Sequence, residues 1–214
     1  MNLSEADAAS RRYLHGFLTL HCAEATLFSV VVISNALVCF VVYKHKPLHT
    51  KTWTLLVSLA VADGLNGVHW AFYSVLRVTL TLLDRPATVV KWKCLAFTTF
   101  NFFFIRAAFS LTLIVAFDRL LAVAFPIFWK ASVASEARQS LYTKTLLAVA
   151  WIDGLIHVLV LVLYNDDYDK WLPNCATVPV AHPDARVFHE NKSVVMNCLV
   201  VVFYLVPALR KSTG

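Results

Sequence analysis

The chain has 214 residues, of which 59% are hydrophobic and 15% are charged, and its mean hydropathy is +0.65. A soluble domain carries about 25% charged residues, so this composition excludes a soluble globule and indicates a protein that crosses a membrane several times. The formal net charge of +6 includes no long run of Lys and Arg, which disfavours nucleic-acid binding and suits loops that face anionic lipid. Backbone groups in lipid must hydrogen-bond internally, so we expect an all-α membrane protein, a bundle of transmembrane helices.

The first apolar run predicts a transmembrane helix from about Phe17 or Ala25 to Tyr43. Residues 1–16 before it are polar and are expected to form an extracellular tail, in which Asn2 begins a glycosylation sequon. Asn35 is the one strongly polar residue inside the run, where an asparagine ordinarily hydrogen-bonds to a neighbouring helix. The loop after the run carries three lysines and is therefore expected on the cytoplasmic side, although two arginines precede the run.

The second predicted span covers about Trp53 to Leu80 and carries a polar stripe. Asp63, Asn66 and Trp70 fall at positions i, i+3 and i+7, which share one face of a helix. A carboxylate in the middle of a membrane is costly, so Asp63 is expected to face the inside of the bundle and to have a partner there.

The third predicted span, Leu95 to Phe117, is flanked by residues that point to function. Cys94 directly precedes it, and Asp118 and Arg119 directly follow it. At about 100° and 1.5 Å per residue, Cys94 and Arg119 lie within about 20° of the same helix face and roughly 37 Å apart. One helix therefore carries a cysteine near one membrane surface and an acid-arginine pair near the other.

One charged residue, Arg106, lies within the third span, where an unpaired charge is costly. The Arg106 side chain is expected to snorkel to the surface or to pair with Asp153, and contact with a ligand is the less favoured alternative. Asp153 and His157 are four residues apart on the fourth predicted span, Thr145 to Tyr164, which also contains Trp151.

The segment from Asn165 to Asn191 is long, polar and acidic. It contains Cys175, and Asn191 begins a second glycosylation sequon. A fifth span starts near Val194 and includes Pro207. Since Cys175 is at the predicted outer side, where cysteine oxidation is allowed, it and Cys94 are candidates for a disulfide, whereas the cysteines inside the apolar runs are expected to be inert.

These features, in this order, resemble the third helix and the surrounding helices of the rhodopsin-like (class A) G protein-coupled receptors. The residues that carry the resemblance are Asn35, Asp63 in Leu-Ala-Val-Ala-Asp, Cys94, Asp118-Arg119, Pro126, Trp151, Cys175 and Pro207. Leu120 stands where the family usually has tyrosine. The resemblance covers about residues 17–212 but only five of the seven helices, which implies a receptor transmembrane domain over 17–214, truncated after the fifth helix.

The resemblance implies a receptor in the plasma membrane, with its N-terminus outside, that senses an extracellular ligand and signals through a heterotrimeric G protein. It implies that coupling and activation depend on Asp118, Arg119, Pro126 and Ile127, with Ile127 packing against the G protein. It also implies a Cys94–Cys175 disulfide and a bundle polar network of Asn35, Asp63, Trp151 and Pro207. Ala108 replaces a serine of the family's sodium site, which disfavours sodium binding.

The ligand is left open by the sequence. Asn101 stands where amine receptors of the family carry an aspartate, so a typical amine is disfavoured, and a peptide or another small molecule is expected. The ligand-facing candidates are Asn66, His69 and Asn101.

Other classes of function are less favoured. No catalytic motif or Gly-rich phosphate loop occurs, so we expect no enzyme, no cofactor and no metal site. The alternatives are a non-signalling truncated receptor that associates with full-length receptors in an oligomer and, less favoured, a small transporter, which would show inverted repeats and broken helices.

Overall fold

The structure is a computed structural model of all 214 residues. It describes residues 3–46, 50–83, 89–127, 129, 135–164, 169–172 and 183–212. Five long helices form in these ranges: α1 Leu3–Lys44, α2 Lys51–Leu82, α3 Lys91–Ala124, α4 Glu136–Leu163 and α5 Pro183–Ser212. The expected helical bundle is confirmed.

Four stretches of the described residues are long and apolar enough to cross a membrane: Leu14–Lys44, Thr52–Leu82, Lys91–Ala124 and Glu136–Leu163. They belong to α1, α2, α3 and α4. No such stretch is found among the described residues of α5, so the fifth span remains a prediction. It is supported by the absence of any charged residue from Val194 to Leu209.

Helix α3 is the centre of the bundle, because α2, α4 and α5 all pack against it, whereas α1 packs mainly against α2. A helix that is apolar on all sides is expected to be buried, and α3 has the largest buried share of the four candidate spans. At mid-height its Ala108 and Leu111 pack with Ala62 of α2 and Ala150 of α4.

Glycines allow the helices to approach closely. A Cβ on Gly67 of α2 would lie 3.1 Å from Val32 of α1. A Cβ on Gly154 of α4 would lie 3.0 Å from the carbonyl oxygen of Phe103 on α3. The hydrophobic effect does not drive helices together in lipid. Small residues stabilise such crossings because they allow the helices to pack in close van der Waals contact.

Two short strands, β1 Val89–Val90 and β2 Trp171–Leu172, pair antiparallel at the end of the bundle where α3 begins. The backbone amide of Lys91 extends this pairing by donating to Lys170 at 2.8 Å. Leu172 is buried with Cys94, so the pairing fastens the segment after α4 to the start of α3. The sequence analysis did not predict these strands.

Three helices begin nine or more residues before their predicted spans. Helix α1 starts at Leu3, so most of the predicted tail over 1–16 is helical, because it contains three Ala and two Arg, which are good helix formers. Helix α4 starts at Glu136 because the Ser135 hydroxyl caps it by accepting from the Arg138 amide at 3.3 Å. Helix α5 starts at Pro183, inside the predicted loop, and proline suits a first helical turn.

Candidate functional site

The N-terminal end of α3 is fixed by a disulfide. Cys94 is disulfide-bonded, and Cys22, Cys39 and Cys198 are free thiols. Cys175 lies outside the described residues, so the Cys94–Cys175 pairing stays a prediction.

Of the two predicted glycosylation sites, only Asn191 lies within the described residues. Asn2 also lies outside the described residues. Asn191 is exposed on α5, whereas the hydroxyl of Ser193 in the same sequon accepts a hydrogen bond from Arg106.

Below the disulfide, an aromatic contact joins α2 to α3. His69 is only 7% exposed, and the centroid of its ring lies 4.2 Å from that of Phe97 and 6.0 Å from that of Phe100. Within the described part of the chain, the side-chain oxygens of Asn66 and Asn101 are buried without a hydrogen bond. The two amides are therefore acceptors that a ligand or a water could use. His69 thus packs against α3 at Phe97, which lies about one helical turn before Asn101.

A polar cluster joins α3, α4 and α5 at the middle of the bundle. We call it the α3–α4–α5 polar cluster, and it consists of Arg106, Ser110, Asp153, His157, Lys192 and Ser193.

Asp153 is the centre of this cluster. Its carboxylate accepts from the Ser110 hydroxyl at 2.5 Å and from the ammonium of Lys192. The His157 ring nitrogen lies 2.8 Å from the Asp153 backbone oxygen and 3.7 Å from its carboxylate, as their spacing of four residues predicts. A carboxylate on α4 thus bridges a hydroxyl on α3 and a cation on α5.

Arg106 contacts α5 and two aromatic rings of its own helix. Its guanidinium donates to the Ser193 hydroxyl and lies 5.7 Å and 5.8 Å from the ring centroids of Phe102 and Phe109. Lys192 was missed because it is the middle residue of a sequon that was assigned to a loop. Recognition of Pro183 as a helix start would have placed it on a helix.

Another interhelical contact that the sequence analysis missed lies between α1 and α2. The carboxylate of Glu24 accepts from the Ser74 hydroxyl at 3.1 Å and contacts the His21 ring nitrogen at 2.8 Å. The three-residue spacing of His21 and Glu24 was the available signal.

The C-terminal end of α3 holds Asp118 and Arg119 in different surroundings. The side chain of Asp118 is 1% exposed, and it accepts from the Trp129 indole at 3.3 Å and from the Tyr142 hydroxyl at 3.4 Å. Arg119 is 41% exposed, lies 3.6 Å from the Asp118 carboxylate and donates to the Thr52 hydroxyl of α2. A buried acid therefore orients a half-exposed arginine.

The three residues directly after α3, 125–127, are exposed. Pro126 is exposed, and Ile127 is 85% exposed although its side chain is large and apolar. An exposed side chain of this kind is available to another protein.

Three of the four residues expected to form the bundle polar network have described side chains, and each of the three has different surroundings. The Asn35 amide donates to Val31 of its own helix at 2.9 Å, and Asp63 is half-buried. Trp151 packs against Phe103, with ring centroids 5.5 Å apart. Among the described residues no hydrogen bond joins these side chains, and the side chain of Pro207 lies outside the described part.

Comparison with known proteins agrees with this arrangement. The family "serpentine type 7TM GPCR chemoreceptor Srsx" matches residues 28–213. The D(2) dopamine receptor A of Xenopus laevis is 30% identical over 134 residues, which cover 59% of this chain and 27% of that protein. The substance-P receptor of Canis lupus familiaris is 28% identical over 202 residues, which cover 90% of this chain and 44% of that protein. Olfactory receptor 4L1 of Homo sapiens is 24% identical over 131 residues, which cover 61% of this chain and 39% of that protein.

The chain spans less than half the length of these curated relatives. The family match covers most of the chain and is continuous from the middle of α1 to the end of α5. The relatives are receptors, which agrees with the receptor interpretation and not with an enzyme or a transporter. The protein is a multi-pass membrane protein of the G protein-coupled receptors, and it belongs to the serpentine-type seven-transmembrane chemoreceptor family Srsx.

Proposed function

We propose that this chain forms helices one to five of a rhodopsin-like receptor that senses an extracellular ligand and signals through a heterotrimeric G protein. The observation that carries the proposal is the inner end of α3, where buried Asp118 orients half-exposed Arg119 beside exposed Ile127. The Cys94–Cys175 disulfide, an outer N-terminus and a plasma-membrane location are part of the same proposal.

Coupling follows from how Arg119 is held. Its contacts are a hydroxyl on α2 and a neighbouring carboxylate at 3.6 Å, and they leave two-fifths of the side chain exposed. Each contact to a charged group contributes about 1.5–3 kcal/mol in a buried site and less where water reaches it. A modest movement of α2 relative to α3 is therefore enough to release the guanidinium toward a G protein.

Ligand sensing is assigned to the other half of the same helix. Ionisable residues inside a span are costly, and they ordinarily mark a functional site. Arg106 lies twelve residues after Cys94 and thirteen before Arg119, so a rigid α3 connects the polar cluster to the coupling end. Asn66, His69 and Asn101 remain the ligand-facing candidates nearer the disulfide.

The chemistry of these residues favours a ligand other than an amine. Asn101 is neutral, and the carboxylate of Asp153 is already shared between Ser110 and Lys192. A peptide or a small molecule with hydrogen-bonding groups suits the amide oxygens of Asn66 and Asn101 better than an ammonium group does.

Substitution of Ile127 tests the proposal. The chain is joined to the sixth and seventh helices of a relative, and nucleotide exchange on a G protein is measured in membranes. Ile127→Ala should lower exchange about tenfold, because burial of such a side chain against a partner is worth about 1.5–3 kcal/mol. The matched control is Leu141→Ala, which removes another exposed apolar side chain, 68% exposed, from α4. Equal exchange by the Ile127→Ala variant and the unsubstituted receptor would contradict the proposed role.

A further inference from the structure

A polar groove lies between the ends of α2 and α4 on the side of the bundle where Arg119 lies. Its volume is about 520 Å³, within the range of small-ligand sites. It is lined by Thr50, Thr54, Glu136, Gln139, Ser140, Thr143, Lys144 and Leu147. None of these residues belongs to the α3–α4–α5 polar cluster, and within the described ranges none of them hydrogen-bonds to Arg119.

The groove carries one charge of each sign. Glu136 is in the first turn of α4, and Lys144 lies eight residues later, about 12 Å farther along the helix axis. Within the described part of the chain neither of them makes an ion pair. Both side chains line the groove, with Lys144 farther along α4 than Glu136.

Two of the four hydroxyls in the groove hydrogen-bond within their own helices, and two do not. Thr54 donates to the Thr50 carbonyl at 3.1 Å, and Thr143 donates to the Gln139 carbonyl at 2.9 Å. These two hydroxyls are committed to their own helices. The Thr50 and Ser140 hydroxyls and the Gln139 amide remain as donors for a bound group.

We propose that this groove binds the headgroup of phosphatidylethanolamine. Lys144, with the Ser140 and Thr50 hydroxyls, holds the phosphate, and Glu136 holds the primary ammonium. The order of charges along α4 matches the lipid, in which the ammonium lies farther from the acyl chains than the phosphate does. Leu147 lies at the deeper end of the groove, where the acyl chains begin.

Related lipids fit less well. The trimethylated ammonium of phosphatidylcholine cannot donate a hydrogen bond to Glu136. Phosphatidylglycerol has no cation, and the additional carboxylate of phosphatidylserine would lie near Glu136. A second groove, between α3 and α4, has a volume of about 380 Å³ and is lined only by Thr99 and apolar residues, so it cannot select a charged headgroup.

Native mass spectrometry of the chain in detergent tests the proposal. The probes are phosphatidylethanolamine, phosphatidylcholine and phosphatidylglycerol with identical acyl chains, added in equal amounts. We expect phosphatidylethanolamine to be retained about two- to fivefold more than either competitor, which is the strength of one partly exposed ion pair. Glu136→Gln should remove the preference over phosphatidylglycerol, and Lys144→Gln should reduce retention of all three lipids.

The controls are Asp169→Asn and Lys170→Gln, which remove the same charges from exposed positions near β2. Retention by these variants should equal that of the unsubstituted chain. Equal retention of the three lipids by the unsubstituted chain overturns the proposal without the use of any variant. The same conclusion follows if the Lys144→Gln and Lys170→Gln variants retain the lipids equally.

Discussion

Asp118 and Arg119 are neighbours in the sequence, yet one is buried and the other is half-exposed. The difference arises because Asp118 faces Trp129 and Tyr142, whereas Arg119 points toward Thr52 of α2. Two hydrogen bonds hold the Asp118 carboxylate, whereas Arg119 donates to Thr52 and lies 3.6 Å from that carboxylate. The proposed coupling therefore requires Arg119, and not Asp118, to change its contacts.

Asp153 is the residue on which the middle of the bundle depends. Its carboxylate is 21% exposed and is shared between Ser110 of α3 and Lys192 of α5. Sequence reasoning found Asp153, His157 and Arg106, because charges within apolar runs are conspicuous. It did not find Lys192, whose position depends on where α5 begins.

We predict that Asp153→Asn destabilises the bundle by about 1–3 kcal/mol, because the amide can accept hydrogen bonds but no longer balances the charge of Lys192. Thermal unfolding of the purified chain in detergent measures this effect. Asp169→Asn, at an exposed position, is the control and should leave the unfolding temperature unchanged. If the two variants unfold at the same temperature, Asp153 has no such structural role.

At the scale of the helices, the packing of α4 on α3 depends on Gly154. The Phe103 backbone oxygen and the Phe103 ring occupy the space where a side chain would extend, at 3.0 Å and 3.2 Å from an added Cβ. Because the nearest atom belongs to the backbone, it cannot move without a shift of the whole helix.

We expect Gly154→Ala to destabilise the α3–α4 contact by about 1–3 kcal/mol. Gly16→Ala is the matched control, since an added Cβ there has no neighbour within 4 Å and alanine favours a helix by about 1 kcal/mol. The two variants should therefore shift the unfolding temperature in opposite directions. An unfolding temperature that Gly154→Ala raises would show that the contact is looser than described.

The five helices could be predicted because each contains an apolar run, but their ends could not be predicted in the same way. Helix α4 begins before its apolar run, at Glu136, because Ser135 caps it there. Helix α5 begins at Pro183, because proline suits the first turn of a helix. The pairing of Val89 with Leu172 brings together two strands far apart in the sequence, each too short to give a periodic signal.

Across the whole molecule, α3 connects the disulfide at Cys94, the polar cluster at Arg106 and the coupling pair at Arg119. Three of the residues that carry the family resemblance, Cys94, Asp118 and Arg119, lie on this one helix. The positions of the contact partners, among them Thr52, Trp129 and Lys192, needed the fold.

The orientation of the whole chain gives a prediction. The segment between α3 and α4 should be cytoplasmic, because Lys and Arg are more frequent in cytoplasmic loops. A glycosylation sequon engineered in residues 130–134 should stay unmodified, and one engineered in residues 173–182 should acquire a glycan. Gel mobility before and after glycosidase treatment measures both, and the reverse pattern would invert the proposed topology.

The central claim, that this chain couples to a G protein through the inner end of α3, is tested most directly at Arg119. Nucleotide exchange is measured with the chain joined to the sixth and seventh helices of a relative, at equal surface expression. Arg119→Ala should reduce exchange to the level of membranes without receptor, whereas Arg138→Ala, at an exposed position in the first turn of α4, should leave it unchanged. Exchange by the Arg119→Ala variant equal to that of the unsubstituted receptor would contradict the account.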